Sequence, residues 1–416
     1  MGRSSIREES LCGVRCLLCD AATPLARVVG EEVMGMIRID DLPAAHRRTP
    51  DGKTRARGAG VPLLGQPGPW NAITDVAGVE VGYRTLIRGE GPLVVGEGPV
   101  RTGVTALFPH GRARPNAAAW TGFFSMSGNG EMTGVALIEE RGRFDGPITI
   151  TNTHSCGLAR DVTARWLFEN LSPGDKADQP FWLPVAAETY DGMVNDINGH
   201  HVKPEDVVAA LEDARSGPIE EGAVGGGTGM SCFEFKGGSG TASRRVDYAG
   251  ETFTVGAFVQ SNFGRRHQLR IAGVPVGLEI PLGEERPEEG SIIGVVATDA
   301  PMAPHHLKRI ARRAAYGIAV CGGVAGNESG DLFLAFSTAN RETVAAHGGI
   351  LTARLLGEEA MTRFYEATIQ AMEEAILNSM FAGETMVGRD GFTIQGLPIA
   401  RVQEILRKYN RLNEID

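Results

Sequence analysis

The chain has 416 residues, 42 % of them hydrophobic and 22 % charged, the balance of a globular protein with room for one large domain or two of ordinary size. A formal net charge of −10, with no run of Lys and Arg, argues against a nucleic-acid partner. No apolar run reaches the 18 or so residues that span a bilayer, which argues against a membrane partner.

The first 55 residues read as an irregular leader that mixes charges, Pro and Gly and ends in a basic stretch from Arg47 to Arg57. Its Cys12, Cys16 and Cys19 lack a fourth ligand nearby, so they read as an incidental cluster and not a metal site. Cys156, Cys232 and Cys321 stand alone and read as small buried hydrophobes. Without a disulfide framework a reducing cytoplasm is the expected location.

Regular patterning begins near Asn71 to Val76 and Val79 to Val81. Strands are predicted over Gly103 to Phe108, Gly134 to Ile138, Ile148 to Thr151 and Thr252 to Val259, between glycine-rich turns. Helices are predicted over Leu158 to Leu171 and Pro204 to Ala214, the second with Asp206 in its first turn. The segment Leu282 to Gly290 is acidic and turn-prone, an exposed loop. Ser291-Ile-Ile-Gly-Val-Val-Ala-Thr298 follows at once, an apolar run of strand length that implies burial on both faces. The rest reads as a helix from Pro304 to Ile318, a strand from Asp331 to Ser337, and helices over Glu358 to Ala382 and Ile399 to Tyr409. This organisation divides the chain into a leader (1–55), a larger catalytic part (56–290) and a smaller part (291–416) of the same domain.

The junction Gly290-Ser291 carries the most chemistry. A serine hydroxyl at the head of a buried strand can attack the preceding carbonyl, and glycine offers no side chain in its way. Cleavage there makes Ser291 a new N-terminus, whose amine can serve as base for its own hydroxyl. An α-amine has a pKa of about 7.7–8.0, so roughly a tenth is neutral at pH 7, far more than for an ordinary lysine at about 10.4. Gly-Ser is also among the commonest loop dipeptides, and the residues alone leave both readings open.

The run Gly290-Ser-Ile-Ile-Gly-Val-Val-Ala-Thr-Asp-Ala-Pro301, with Pro304-His-His-Leu-Lys-Arg309 after it, resembles the start of the small subunit in the L-aminopeptidase/D-esterase and β-peptidyl aminopeptidase family. Asn71 to Gly78, Asn129 to Gly134, Thr151 to Ser155, Ala187 to Asp191, Gly225 to Gly229, Phe235 to Gly238, Gln260 to Arg265, Ser329 to Asp331 and Gly388 to Gly391 agree in the same order. The resemblance covers the chain from about residue 70 to its end. It implies an α+β fold, a four-layer αββα sandwich of the N-terminal-nucleophile (Ntn) hydrolase type, whose precursor cuts itself before the nucleophile. Carried over, the nucleophile falls on Ser291, a second serine and a carboxylate on Ser329 and Asp331, and the oxyanion donors on Asn262 and Tyr190. Glu188 matches the carboxylate that holds the free amine of the substrate. Ser329 is expected to hydrogen-bond Ser291, and Asp331 to orient and charge-balance the site. Taken alone, Ser329 to Asp331 reads as a turn, Asn262 as part of another, and Glu188 as a solvated side chain.

Other candidates fit less chemistry. Gly225-Gly-Gly-Thr-Gly229 lacks the ending of a phosphate loop, and tight backbone packing is its expected use. His305 and His306 read as a surface pair at a helix start, and His154 as a structural hydrogen-bonding residue. There is no Gly-x-Ser-x-Gly elbow of the α/β-hydrolase type. The expectation is therefore a self-cleaving serine aminopeptidase or amidase that needs no metal and no cofactor. It would act on small peptides or aminoacyl amides and esters, as a homotetramer of processed protomers. The alternatives are an acyltransferase of the ornithine acetyltransferase type and a non-catalytic relative that binds amino-acid derivatives.

Overall fold

In the computed structural model, residues 39–171, 173–282, 290–346 and 348–413 are described. Ten strands make the two main sheets: β1 (Glu80–Arg88), β2 (Val100–Phe108), β3 (Ala118–Ser125), β4 (Arg143–Asp145), β5 (Ile148–Asn152), β6 (Val185–Thr189), β7 (Gly238–Tyr248), β8 (Glu251–Asn262), β9 (Ser291–Thr298) and β10 (Gly330–Ser337). The first sheet runs β1-β2-β5-β6 and the second β4-β3-β10-β9-β8-β7. Among the described residues only β5–β6 and β9–β10 pair in parallel. The second of these connections crosses over through helices Pro304–Ala314 and Tyr316–Val320, as a parallel pair requires.

Alternation along the strands decides what each face meets. Ile293, Val295 and Ala297 of β9 and Leu332, Leu334 and Phe336 of β10 point into the core shared with Val81, Leu107, Ile148, Ile150, Val185 and Ala187 of the first sheet. Ile292, Val296, Phe333 and Ala335 point the other way, onto helices Pro304–Ala314 and Met361–Phe381. A third core joins the outer face of the first sheet to helices Cys156–Glu169 and Pro204–Asp213. The layers are helix, sheet, sheet, helix. This is the αββα sandwich expected, and it explains why every residue of β9 is buried.

Three differences from the sequence expectation have physical causes. Val135–Arg141 is a helix where a strand was predicted over Gly134 to Ile138, bounded by Gly134 and Gly142, both left-handed. The apolar run was too short to separate the two periods. The helix predicted over Pro304 to Ile318 breaks at Ala315 into two. The stretch expected as leader up to residue 55 is, over residues 39–55, part of the packed body. Arg55 is buried and donates to Glu221 at 2.7 Å, and just beyond it Arg57 donates to Glu374 at 2.8 Å, which Arg244 also meets at 2.7 Å. The cysteine cluster at Cys12, Cys16 and Cys19 and the body of the acidic loop, 283–289, lie outside the described residues.

Candidate active site

β9 begins at Ser291, and its two neighbours fix what stands beside it. Asn262, the last residue of β8, lies opposite Ser291 in the antiparallel register, and Gly330, the first of β10, lies beside it in the parallel one. The Gly330 N–H donates to Ser291 Oγ at 3.2 Å, and it also lies 3.3 Å from the Gly290 carbonyl oxygen. A methyl group on Gly290 would stand 2.1 Å from the Asn262 carbonyl oxygen, so only glycine fits before the serine.

Ser329 and Asp331 flank Gly330, both buried, and the Ser329 hydroxyl donates to Asp331 Oδ1 at 2.7 Å. This departs from the expected Ser329–Ser291 bond. Alternation turns Gly330 with Ser291 toward the space between the sheets and Asp331 to the other face. Asp331 therefore holds Ser329, while the amide between them holds Ser291.

The Asn262 side chain is fixed at both ends. Its Oδ1 accepts from the Ser231 N–H at 2.8 Å, and its Nδ2 donates to the Tyr190 carbonyl oxygen at 2.8 Å. A carboxamide has two N–H donors, so one remains for a reacting oxygen. Tyr190 meets Asn262 through its backbone. Its phenol is exposed and folds back over Gly192, where a methyl group would lie 2.3 Å from the hydroxyl oxygen.

Glu188 comes from β6 of the other sheet and is buried, not solvated. The Glu131 N–H donates to its Oε1 at 2.8 Å, and the Thr153 hydroxyl donates to its Oε2. Burial pushes its carboxyl above the usual range. The bonds from Thr153 and Glu131 pull the other way, the Glu131 charge adds to the rise, and His154 opposes it. The sequence had not marked the two glycines that bring this carboxylate toward Ser291. A methyl group on Gly130 would lie 3.2 Å from the Gly330 Cα and 3.3 Å from Glu188 Oε1, and one on Gly330 would lie 2.6 Å from the Asn129 carbonyl oxygen. Residues 126–133 therefore form a bridge between the sheets. Met126 and Asp331 exchange backbone bonds with β10 and this segment, and Thr133 donates to Ala186 of β6.

Other sequence candidates fall in place around this centre. Gly225–Gly227 is a buried turn whose Cα atoms press on the sheet backbone, as expected. His154 is exposed and stacks on His200 at 5.7 Å, so its position next to Thr153 puts it at the rim of the Glu188 site and not in a structural bond. The histidine pair is split. His305 is exposed, while His306 is buried, 3.0 Å from Glu358, whose other oxygen meets Arg309.

The model of peptidase family S58 matches residues 71–394. A β-peptidyl aminopeptidase of Sphingosinicella microcystinivorans is 52 % identical over 374 residues, 86 % of this chain and 93 % of that one. The solved L-aminopeptidase D-Ala-esterase/amidase of Ochrobactrum anthropi, described as a prototype for the serine aminopeptidases and a variant of the Ntn-hydrolase fold, superposes with a TM-score of 0.80. It is 44 % identical, over 86 % of this chain and 99 % of that one. A β-aminopeptidase of a Burkholderia species superposes with a TM-score of 0.77 at 41 % identity, over 85 % of this chain and 99 % of that one. These similarities favour neither the acyltransferase nor the non-catalytic alternative. The chain belongs to peptidase family S58 and is a serine aminopeptidase of the Ntn-hydrolase fold.

Proposed function

We propose that the chain cuts itself between Gly290 and Ser291 and that the new N-terminal serine then removes N-terminal residues from small peptides, amides or esters. The observation that carries this reading is the shared Gly330 donor. One N–H reaches both the Ser291 hydroxyl oxygen and the carbonyl oxygen of the bond to be broken. Attack by Oγ on the Gly290 carbon breaks the Gly290–Ser291 C–N bond and leaves an ester, which water hydrolyses. The freed α-amine of Ser291 takes the hydroxyl proton in each later turnover.

In that cycle Ser291 attacks the substrate carbonyl, and the negative charge forms on its oxygen. Asn262 donates its remaining N–H there, with Tyr190 as the second donor. The amine of the substrate leaves with a proton, and water releases the acyl group. Ser329 and Asp331 form a hydrogen-bonded brace that holds the Gly330 amide in line. Glu188 takes the ammonium of the substrate, and the Gly130–Gly330 contact sets its distance from Ser291. The β-peptidyl and D-alanyl names of the relatives make short aminoacyl amides, including β-amino-acyl ones, the substrates to try first.

A homotetramer of processed protomers is the assembly that the resemblance implies. Among the described residues no helix is long and apolar enough to cross a membrane. A cytoplasmic site of action agrees with the buried, free thiols of Cys156, Cys232 and Cys321. The test of the reading is the intact mass of purified wild type and Ser291→Ala, followed by turnover of free aminoacyl anilides. Two chains and activity are expected from the first, one chain and no activity from the second. Activity in a wild type that stays uncut would overturn it.

A further inference from the structure

Lys236 is fully buried, and nothing in the mechanism above uses it. It lies in a two-residue hairpin strand paired with Ser231. Its ammonium donates to the carbonyl oxygens of Met230 and Gly237, each at 2.8 Å, and to that of Gly227 at 3.4 Å. Among the described residues none of these bonds goes to a carboxylate. A desolvated cation held by neutral carbonyls alone is costly, and a fold that needed only packing there would gain from an apolar side chain.

The Met230 carbonyl belongs to the same peptide group as the Ser231 N–H. That N–H is the one that donates to Asn262 Oδ1. A single chain therefore runs from the Lys236 ammonium through the Met230–Ser231 peptide to the carboxamide of Asn262, the residue paired with Ser291 in the sheet. Each amide in such a chain is polarised by the bond before it, and this strengthens the next. A positive charge at one end draws electrons from the Nδ2–H at the other and makes it a better donor to a forming oxyanion.

We propose that Lys236 is a positioning residue for catalysis, whose buried charge, relayed through the Met230–Ser231 peptide, orients Asn262 and strengthens its N–H toward the oxyanion. The inference rests on the oxyanion role of Asn262 given above. Burial lowers the Lys236 ammonium to about 7, Lys53 pushing the same way and Cys232 the other, so the charge is present below neutrality and fades above it.

A double-mutant cycle on processed enzyme separates this from a bracing role. Lys236→Met is expected to lower kcat by about ten-fold or more at little change in KM, a fraction of what losing the donor itself costs. In the Asn262→Ala background the same substitution is expected to change kcat hardly at all, because its route to the substrate is gone. Equal losses in both backgrounds overturn the inference and leave Lys236 a structural brace. Normal turnover by Asn262→Ala alone overturns the oxyanion reading, and this inference with it. Should Lys236→Met fail to fold, pH decides. The ratio of wild-type to Asn262→Ala turnover cancels the titration of the Ser291 amine, and it should fall as pH rises through about 7. A ratio that stays flat across that range overturns the proposal.

Discussion

The Gly330 N–H donates to Ser291 Oγ at 3.2 Å across the parallel β9–β10 pair, and the Gly290 carbonyl oxygen sits 3.3 Å from the same nitrogen. A single backbone donor thus holds the Ser291 hydroxyl oxygen next to the Gly290 carbonyl, the pair that the proposed self-cleavage would bring into reaction. When the tetrahedral intermediate forms, that donor faces the new negative charge with no reorganisation.

That relationship makes Gly290 as specific as Ser291. A Cβ at 290 would meet the Asn262 carbonyl oxygen at 2.1 Å, a distance no side chain tolerates. Gly290→Ala must push the scissile carbonyl off the shared donor. We expect self-cleavage slowed by at least ten-fold, read from the masses of the 416-residue chain and its 290- and 126-residue products (416 − 290) over time. Wild-type kinetics of cutting in Gly290→Ala would remove the shared donor from the reaction.

The oxyanion assignment has its own magnitude. Removing one such donor costs roughly 2.7–4 kcal/mol, or about 10²–10³ in turnover. Asn262→Ala is expected to lose kcat on that scale once processed, and to process more slowly. The loss of the bond to the Ser231 N–H adds a stability cost of about 1–3 kcal/mol. A melting curve taken beside the kinetics separates the two, since a fold defect moves Tm and an oxyanion defect moves kcat in folded protein.

Acid stability is tied to Glu374. Burial pushes its carboxyl up, but Arg57 and Arg244, with help from Arg55, outweigh it and hold the group far below the usual carboxylate range. A depressed folded pKa stabilises the fold above the unfolded value of about 4.3 and loses that contribution as pH falls below it. Glu374→Gln should cost about 3–5 kcal/mol near neutral pH, because two buried guanidinium groups lose their partner. Its denaturation midpoint should also vary less than that of wild type between about pH 5 and pH 2, where the unfolded chain takes up this proton and the folded one still holds the carboxylate ionised. A wild type and variant with parallel pH curves would show that the network carries no linked proton.

Much of this centre was legible in the sequence, and the remainder was not for identifiable reasons. β9 could be read to the residue, since an apolar run after a polar loop leaves one place to start. Asn262 pairs with Ser291, Gly330 stands between Ser329 and Asp331 beside it, and Glu188 reaches the same place from the other sheet, groupings that no local pattern links. What the pattern missed is close approach. Gly130 and Gly330 look like any loop glycines until the sheets are stacked and their Cα atoms prove to be the contact. The Ser329–Ser291 bond was misplaced for the same reason. Period two placed Ser329 and Asp331 on one face, but the parallel register put Gly330, not either of them, beside Ser291. Arg55 and Arg57 read as the basic end of an irregular leader because their carboxylates, Glu221 and Glu374, lie more than 150 residues away.

The last prediction concerns the free amine of the substrate. Glu188 is buried, holds one backbone and one hydroxyl donor, and stands above the usual carboxylate range because burial disfavours its charge. An ammonium placed against it restores what desolvation removed, so binding an amine and ionising Glu188 support each other. Losing a partner from a close, desolvated pair costs roughly 2–5 kcal/mol. At 1.4 kcal/mol per decade this is about 30- to several-thousand-fold in kcat/KM between a free aminoacyl anilide and its N-acetyl form. Glu188→Gln keeps an oxygen to accept from the Glu131 N–H and reverses the other bond, its amide nitrogen donating to the Thr153 hydroxyl oxygen. It removes the charge, and it should weaken turnover of the free substrate while narrowing that gap. The sign with pH also follows. As pH falls through the raised Glu188 value the carboxylate takes a proton and KM for the free amine rises, earlier than an ordinary glutamate would cause. In Glu188→Gln that rise should vanish. Specificity constants for both substrates, in both proteins, from about pH 4 to pH 8 bracket the carboxylate range and settle the matter. Equal cleavage of capped and free substrates by the wild type would show that Glu188 does not hold the amine.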